Sequence, residues 1–160
     1  MSIARRQFLR GDLAASRGPL RPPWALVEAA FLDRCTRCDA CPPEIIVRGS
    51  GGYPEVDFTR GECTFCGDCL TACSARALEP RRVAWWLRPS IAGVCLVRHG
   101  VVCRSCGDAC EARAIRFAHA PGGVALPDLL RDAFTGCGAC VSVCPVSAIV
   151  MHAPDLAVAT

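Results

Sequence analysis

Cys63-Thr64-Phe65-Cys66-Gly67-Asp68-Cys69-Leu70-Thr71-Ala72-Cys73 is the one stretch of this chain in which four cysteines keep a fully regular spacing. The pattern is C-x2-C-x2-C-x3-C. Gaps of two residues let a single tight loop turn three thiolates towards one small object, and the fourth cysteine opens the helix that follows. This is the spacing with which thiolates hold a cubane iron–sulfur cluster.

Irregular copies lie on either side. Motif one is Cys35-x2-Cys38-x2-Cys41, followed directly by Pro42-Pro43. Motif two is the quoted stretch. Motif three is Cys95-x7-Cys103-x2-Cys106-x3-Cys110, and motif four is Cys137-x2-Cys140-x3-Cys144-Pro145. Gly67-Asp68-Cys69 against Gly138-Ala139-Cys140 shows the repeat, as do the pairs Ala77-Leu78, Ala114-Ile115 and Ala148-Ile149. A full set of four motifs would need about 16 cysteines on this spacing, and the chain has 14. The regular fourth position of motif one falls on Ile45, and the first position of motif four on Phe134. In motif three Cys95 stands in for a cysteine at Gly100.

In two-cluster ferredoxins the fourth cysteine of each motif ligates the other cluster. Pairing motifs one and two on that rule gives one complete site, Cys35, Cys38, Cys41 and Cys73, and one short site, Cys63, Cys66 and Cys69. Pairing three and four gives a complete site, Cys95, Cys103, Cys106 and Cys144, and a short one, Cys137, Cys140 and Cys110. A three-thiolate site is open to a three-iron cluster, a labile four-iron cluster, an oxygen ligand such as Glu44, or no cluster. Cys41 also reads as a fourth cysteine because Pro42 follows it, but its distance from Cys38 favours the third position.

Composition agrees with a metal scaffold. Cysteine makes up 14 of 160 residues, about 9%, a level at which the scaffold is usually built on cysteine. Hydrophobic residues are 52% including those cysteines, so the aliphatic core is modest and needs staples. Ala4-Arg5-Arg6-Gln7-Phe8-Leu9-Arg10 looks like a twin-arginine signal core, but Gly11 to Pro19 contains no apolar stretch, so it reads as non-functional for export. No run is long enough to span a membrane. The expectation is a cytoplasmic chain with reduced thiols, where disulfides are rare. Structural zinc explains C-x2-C pairs but not the third cysteine of C-x2-C-x2-C. The three histidines, His99, His119 and His152, are scattered and match no catalytic thiol. A net charge of +3 does not argue for nucleic acid. No phosphate loop and no catalytic constellation is present, so no enzyme is expected.

Several further stretches narrow the reading: Arg5-Arg6 with Phe8-Leu9, Arg21-Pro22-Pro23-Trp24, Cys35-Thr36-Arg37-Cys38-Asp39-Ala40-Cys41, Arg48-Gly49 with Gly51-Gly52-Tyr53-Pro54, Val56-Asp57-Phe58, Glu62-Cys63-Thr64-Phe65-Cys66, Cys95 with Cys103-Arg104-Ser105-Cys106, and Cys137 to Ile149. Through them, and over nearly its whole length, the chain resembles the NapF family of ferredoxin-type proteins of periplasmic nitrate reductase systems. The resemblance implies a cytoplasmic multi-cluster iron–sulfur protein that acts on the precursor of the catalytic nitrate reductase subunit, in its maturation before export. The family pattern has an extra x3-C in motif one and a cysteine where Phe134 stands. The alternative is a general ferredoxin-type electron carrier between a donor and a membrane or soluble oxidoreductase.

The expected fold is α+β: two bacterial-ferredoxin-like units of cluster loops, short helices and β-hairpins, with two to four [4Fe-4S] clusters and [3Fe-4S] open at the short sites. The expected division is a basic arm and short helix over 1–32, a first unit over 33–80, a second over 81–152 and a tail over 153–160. Helical spacing predicts a helix over Trp24 to Leu32 and helix-like structure over Ser74 to Leu78. Hairpins are expected from Ile45-Ile46-Val47 to Tyr53–Phe58 and from Ala114–Phe117 to Val124-Ala125-Leu126.

Overall fold

A computed structural model describes residues 18–38, 44–81, 83–118 and 123–153. The basic arm up to Arg17, Cys41 with Pro42-Pro43, His119, most of the Pro121-Gly122-Gly123 turn and all but the first residue of the tail lie outside the described residues. Short helices and small antiparallel sheets make up the rest, an α+β arrangement. None of the described helices is long and apolar enough to cross a membrane.

Arg21 and Trp24 anchor the stretch Arg21-Pro22-Pro23-Trp24. The Arg21 guanidinium forks onto the Glu28 carboxylate, at 2.7 and 3.0 Å, donates to the Pro54 carbonyl, and stacks over the rings of Phe31 and Tyr53. The hydrogen bond and charge of Glu28 outweigh burial and raise its pKa further. Trp24 is left-handed, φ 63°, and its indole donates to the Arg81 carbonyl. A left-handed tryptophan cannot begin a helix. Helix α1 therefore runs Glu28–Arg34 rather than from Trp24, with acidic Glu28 in its first turn and Arg34 in its last, both favourable to the helix dipole.

Residues 24–26 instead run beside 77–79. Leu26 N–H donates to Ala77 O, Glu79 N–H to Trp24 O, and Ala25 and Leu78 form an antiparallel bridge. The stretch after Cys73 is accordingly a turn and not a helix, because Arg76 takes φ 52°. Inside this outer pair lies a hairpin, β1 (Ile46–Arg48) with β2 (Pro54–Val56). It turns through Gly51, φ 67°, a conformation glycine adopts without strain. Helix α2, Asp68–Ala72, follows the loop of motif two.

The second half repeats the nesting. Strand β3 (Arg88–Ile91) pairs with β6 (Ile149–His152) on the outside. Helix α3 (Ser105–Asp108), the hairpin β4 (Ile115–Ala118) with β5 (Leu126–Leu129), and helix α4 (Ala139–Ser142) lie between them in sequence.

Two cores result. Phe31, Cys69, Ala77 and Leu78 form the smaller. The larger takes Ile45, Val56 and Phe58 from the first half and Leu87, Ile115, Cys140, Ile149 and Met151 from the second. The halves are thus packed into one another across residue 81. Ile45, 8% exposed, is part of that core: where the regular motif would carry a thiolate, this chain buries an aliphatic side chain.

Phe31 is 1% exposed and is the largest fully buried side chain among the described residues. Phe31→Ala is expected to cost about 3–5 kcal/mol, seen as a lowered thermal midpoint of the anaerobically purified protein. Val27→Ala, at a position 71% exposed on the same segment, is expected to leave the midpoint unchanged.

Candidate metal centres

The cysteine loops share one backbone signature. The residue just before the second cysteine of a motif is left-handed in three of them: Arg37 at φ 58°, Phe65 at 57° and Gly136 at 86°. Gly67 and Gly138, just after the second cysteine, lie at 84° and 81°. Arg76, Arg113 and Ser147, each three residues after the fourth cysteine, lie at 52°, 50° and 48°. A non-glycine residue in this region carries a penalty of roughly 1–2 kcal/mol. Repetition at equivalent places marks it as a requirement of the loop, and strain of this kind gathers at functional sites.

These turns aim N–H groups at sulfur. Ala114 N–H donates to Cys110 Sγ at 3.3 Å and Ala148 N–H to Cys144 Sγ at 3.2 Å. Both are fourth cysteines of their motifs, and both donors are the alanine of the repeated Ala-Ile pair.

Three cysteine-lined hollows can be traced. One is walled by Cys35, Cys38 and Cys73 with Phe31, Pro54 and Leu78. A second is walled by Cys95, Cys103, Cys106 and Cys144 with Ile91 and Ile149. A third is walled by Cys110, Cys137 and Cys140 with Phe134, Gly136 and Met151. Cys73 lies with motif one rather than with its own motif, Cys144 with motif three, and Cys110 with motif four. The remaining loop carries Cys63 half-buried, Cys66 exposed and Cys69 buried in the smaller core. Cys41 lies outside the described residues. Glu44 is exposed. His99 Nε2 donates to the Gly93 carbonyl at 3.1 Å, and His152 ends β6; neither joins a cysteine hollow.

Burial and neighbouring thiols raise three of the cysteines, within and across these sets. Burial first, and then the charges of Cys137, Cys106 and Cys110, push the Cys140 thiol up to about 12. Burial, Cys103 and Cys95 push Cys106 up to about 11. Burial also raises Cys63, against a lowering hydrogen bond from the Phe65 backbone, with Cys66 and Cys137 adding to the rise. Free thiolates are therefore disfavoured at these three positions, and a cation bound there competes with the proton.

The donor set fits iron–sulfur clusters. Each hollow is lined by at least three cysteine thiols, the ligand type of iron–sulfur clusters, and among the described residues no three His, Cys, Asp or Glu side chains converge on a single-ion site. One buried donor, Trp85 Nε1, also has no acceptor among the described residues, beside loops that would hold anionic sulfur.

The raised thiols set the sign of a pH effect. Below their pKa the buried thiols keep their protons, so loading iron releases protons and is opposed by acid. Reconstitution of the apoprotein with iron and sulfide is expected to be more complete near pH ~8.5 than near pH ~6.5, with bound iron and acid-labile sulfide as the measurement. Equal loading at both would contradict this reading of the sites.

Comparison with known proteins agrees with the geometry. The family model for a 4Fe-4S dicluster domain matches residues 101–148, the span of motifs three and four without Cys95. The ferredoxin-type protein NapF of Escherichia coli (strain K12) is 44% identical over 154 residues, covering 93% of this chain and 94% of that protein. NapF of Haemophilus influenzae is 43% identical over 166 residues, covering 94% of each. The ferredoxin-type protein NapG of Haemophilus influenzae is 32% identical over 177 residues, covering 91% of this chain and 63% of NapG. No solved structure matches the chain. With 43–44% identity over more than nine-tenths of this chain and of each NapF relative, the chain belongs to the NapF family of ferredoxin-type, [4Fe-4S] iron–sulfur proteins.

Proposed function

We propose that this ferredoxin-type protein, which is not an enzyme, carries four cluster positions in two ferredoxin-like units. One complete site is Cys35, Cys38, Cys41 and Cys73; the other is Cys95, Cys103, Cys106 and Cys144. Cys63, Cys66 and Cys69 form one three-thiolate site, and Cys137, Cys140 and Cys110 the other. The observation that carries the assignment is Cys73 lining the hollow of Cys35 and Cys38. The first unit reaches back to Ala25, beyond the expected start at 33, because Ala25 pairs with Leu78 as β3 pairs with β6. When bound, the clusters supply one-electron chemistry, or themselves become cargo; the chain supplies thiolates, N–H donors to sulfur and an apolar wall.

At the two short sites the fourth corner is apolar. Ile45 is buried in the core and Phe134 lines the Cys137–Cys140–Cys110 hollow. Neither offers a ligand atom, so these sites hold a [3Fe-4S] cluster, or a [4Fe-4S] cluster with one iron open to exchange. Clusters held by three thiolates are easier to transfer or remodel. This supports a cytoplasmic accessory role: the protein binds the precursor of the catalytic subunit of periplasmic nitrate reductase and assists its maturation before export. Relatives named NapF and NapG favour the same system.

Two measurements test this. In anaerobically purified protein, Cys73→Ala is expected to remove about one cluster's worth of iron, from the site of Cys35 and Cys38. Added to Cys35→Ala, Cys73→Ala should then remove no more, whereas added to Cys66→Ala its loss should be additive. The reverse pattern would show that each motif closes its own cluster. Separately, the untransported reductase precursor is expected to co-purify with the tagged protein. Reversible redox cycling with no such complex would assign it to general electron transfer instead.

A further inference from the structure

Trp85 belongs to no cysteine motif, yet it stands where the two three-thiolate loops meet. The Cys63 N–H donates to the Cys137 carbonyl at 2.8 Å, joining those loops across the halves of the chain. The Phe58 ring lies against Gly138, where a Cβ would run into it. Trp85 packs edge-on against Phe58, at 5.6 Å between centroids, and against Phe65, at 6.3 Å. Phe65 is the left-handed residue between Cys63 and Cys66. The indole lies against Gly136, so closely that a Cβ there would fall 2.7 Å from both Cδ1 and Nε1. One side chain thus touches the loop of each short site.

Its polar atom has no use in the protein as described. An indole N–H donates only. Trp24 Nε1 gives its hydrogen to Arg81 O at 3.1 Å, and the Trp86 side chain is exposed to water. Trp85 Nε1 is buried and meets no acceptor among the described residues. Buried N–H groups are paired in nearly all native structures, and each exception calls for an explanation. The acceptors that clusters would bring to this junction are sulfides and thiolate sulfurs carrying negative charge.

We infer that the Trp85 indole N–H donates a hydrogen bond to a sulfur of a cluster held at the Cys63–Cys137 junction, and that this residue sets the potential of that cluster. A donor on cluster sulfur stabilises the more negative, reduced state and so raises the reduction potential. The inference rests on the proposed short sites holding clusters.

The experiment is an EPR-monitored redox titration of the anaerobic full-length protein, with Cys63→Ala and Cys137→Ala marking which signals and how much iron belong to the junction. Trp85→Phe keeps the aromatic wall and removes the donor. The expected result is unchanged iron and a midpoint shifted to more negative potential for a signal that Cys63→Ala or Cys137→Ala abolishes, with the other signals unmoved. An unchanged midpoint overturns the inference while leaving the short sites standing. If neither cysteine variant lowers the iron, the short sites themselves fail and the inference with them. Should Trp85→Phe fail to retain iron, pulsed ENDOR decides on Trp86→Phe protein labelled with 15N-tryptophan. A hyperfine coupling from indole nitrogen, with its exchangeable proton, supports the hydrogen bond; absence of both overturns it.

Discussion

Turning three thiolates of a short loop towards one centre demands a backbone that bends the wrong way at fixed points. That constraint governs the rest of this molecule. Arg37, Phe65 and Gly136 occupy the same left-handed position in three motifs, and Arg76, Arg113 and Ser147 another. Only one of these six is glycine, so the conformation is imposed at a cost of roughly 1–2 kcal/mol at most of them. The return is a set of hollows walled by sulfur, with N–H groups of Ala114 and Ala148 aimed at it.

Such loops do not hold themselves. Both aliphatic cores are small, and Cys69 and Cys140 are among their buried members. Burial pushes Cys140 up to about 12, so without iron it sits there as a neutral thiol. A metal that replaces the proton converts a weakly packed position into a bonded one, and its binding free energy then becomes folding free energy. The shared core of Ile45, Val56 and Phe58 with Leu87, Ile149 and Met151 ties the halves together. Loss of a cluster in one half is therefore felt in the other.

The exchange of fourth cysteines known from two-cluster ferredoxins made Cys73 an expected partner of motif one, and Cys73 lines the hollow of Cys35 and Cys38, although the helix expected after Cys73 is a turn. The first inner hairpin was legible from its apolar runs and glycine turn; the second was legible in place, but its return strand is Leu126–Leu129 and not Val124–Leu126. The start of α1 was not, since nothing local in Pro22-Pro23-Trp24 announces a left-handed tryptophan bonded to Arg81. Ser74 to Leu78 looked helical by composition, but Arg76 must turn left-handed and Leu78 must pair with Ala25. The pairing of β3 with β6 joins residues some sixty positions apart, with Pro89 inside one strand, and no local pattern reports it. Trp85 lies in no cysteine motif. Its place between Phe65 and Gly136 depends on the meeting of the halves, which no spacing encodes.

The central claim is that the thiols ring iron–sulfur clusters in sets drawn from neighbouring motifs. Mössbauer spectroscopy of the 57Fe-enriched, anaerobically isolated full chain, with iron, sulfide and zinc quantified on the same sample, tests it most directly. The account predicts iron and acid-labile sulfide in near-equal amounts, a cubane component equivalent to at least two four-iron clusters, and little zinc. A colourless protein carrying zinc and no sulfide, or iron without a cubane component, would contradict it.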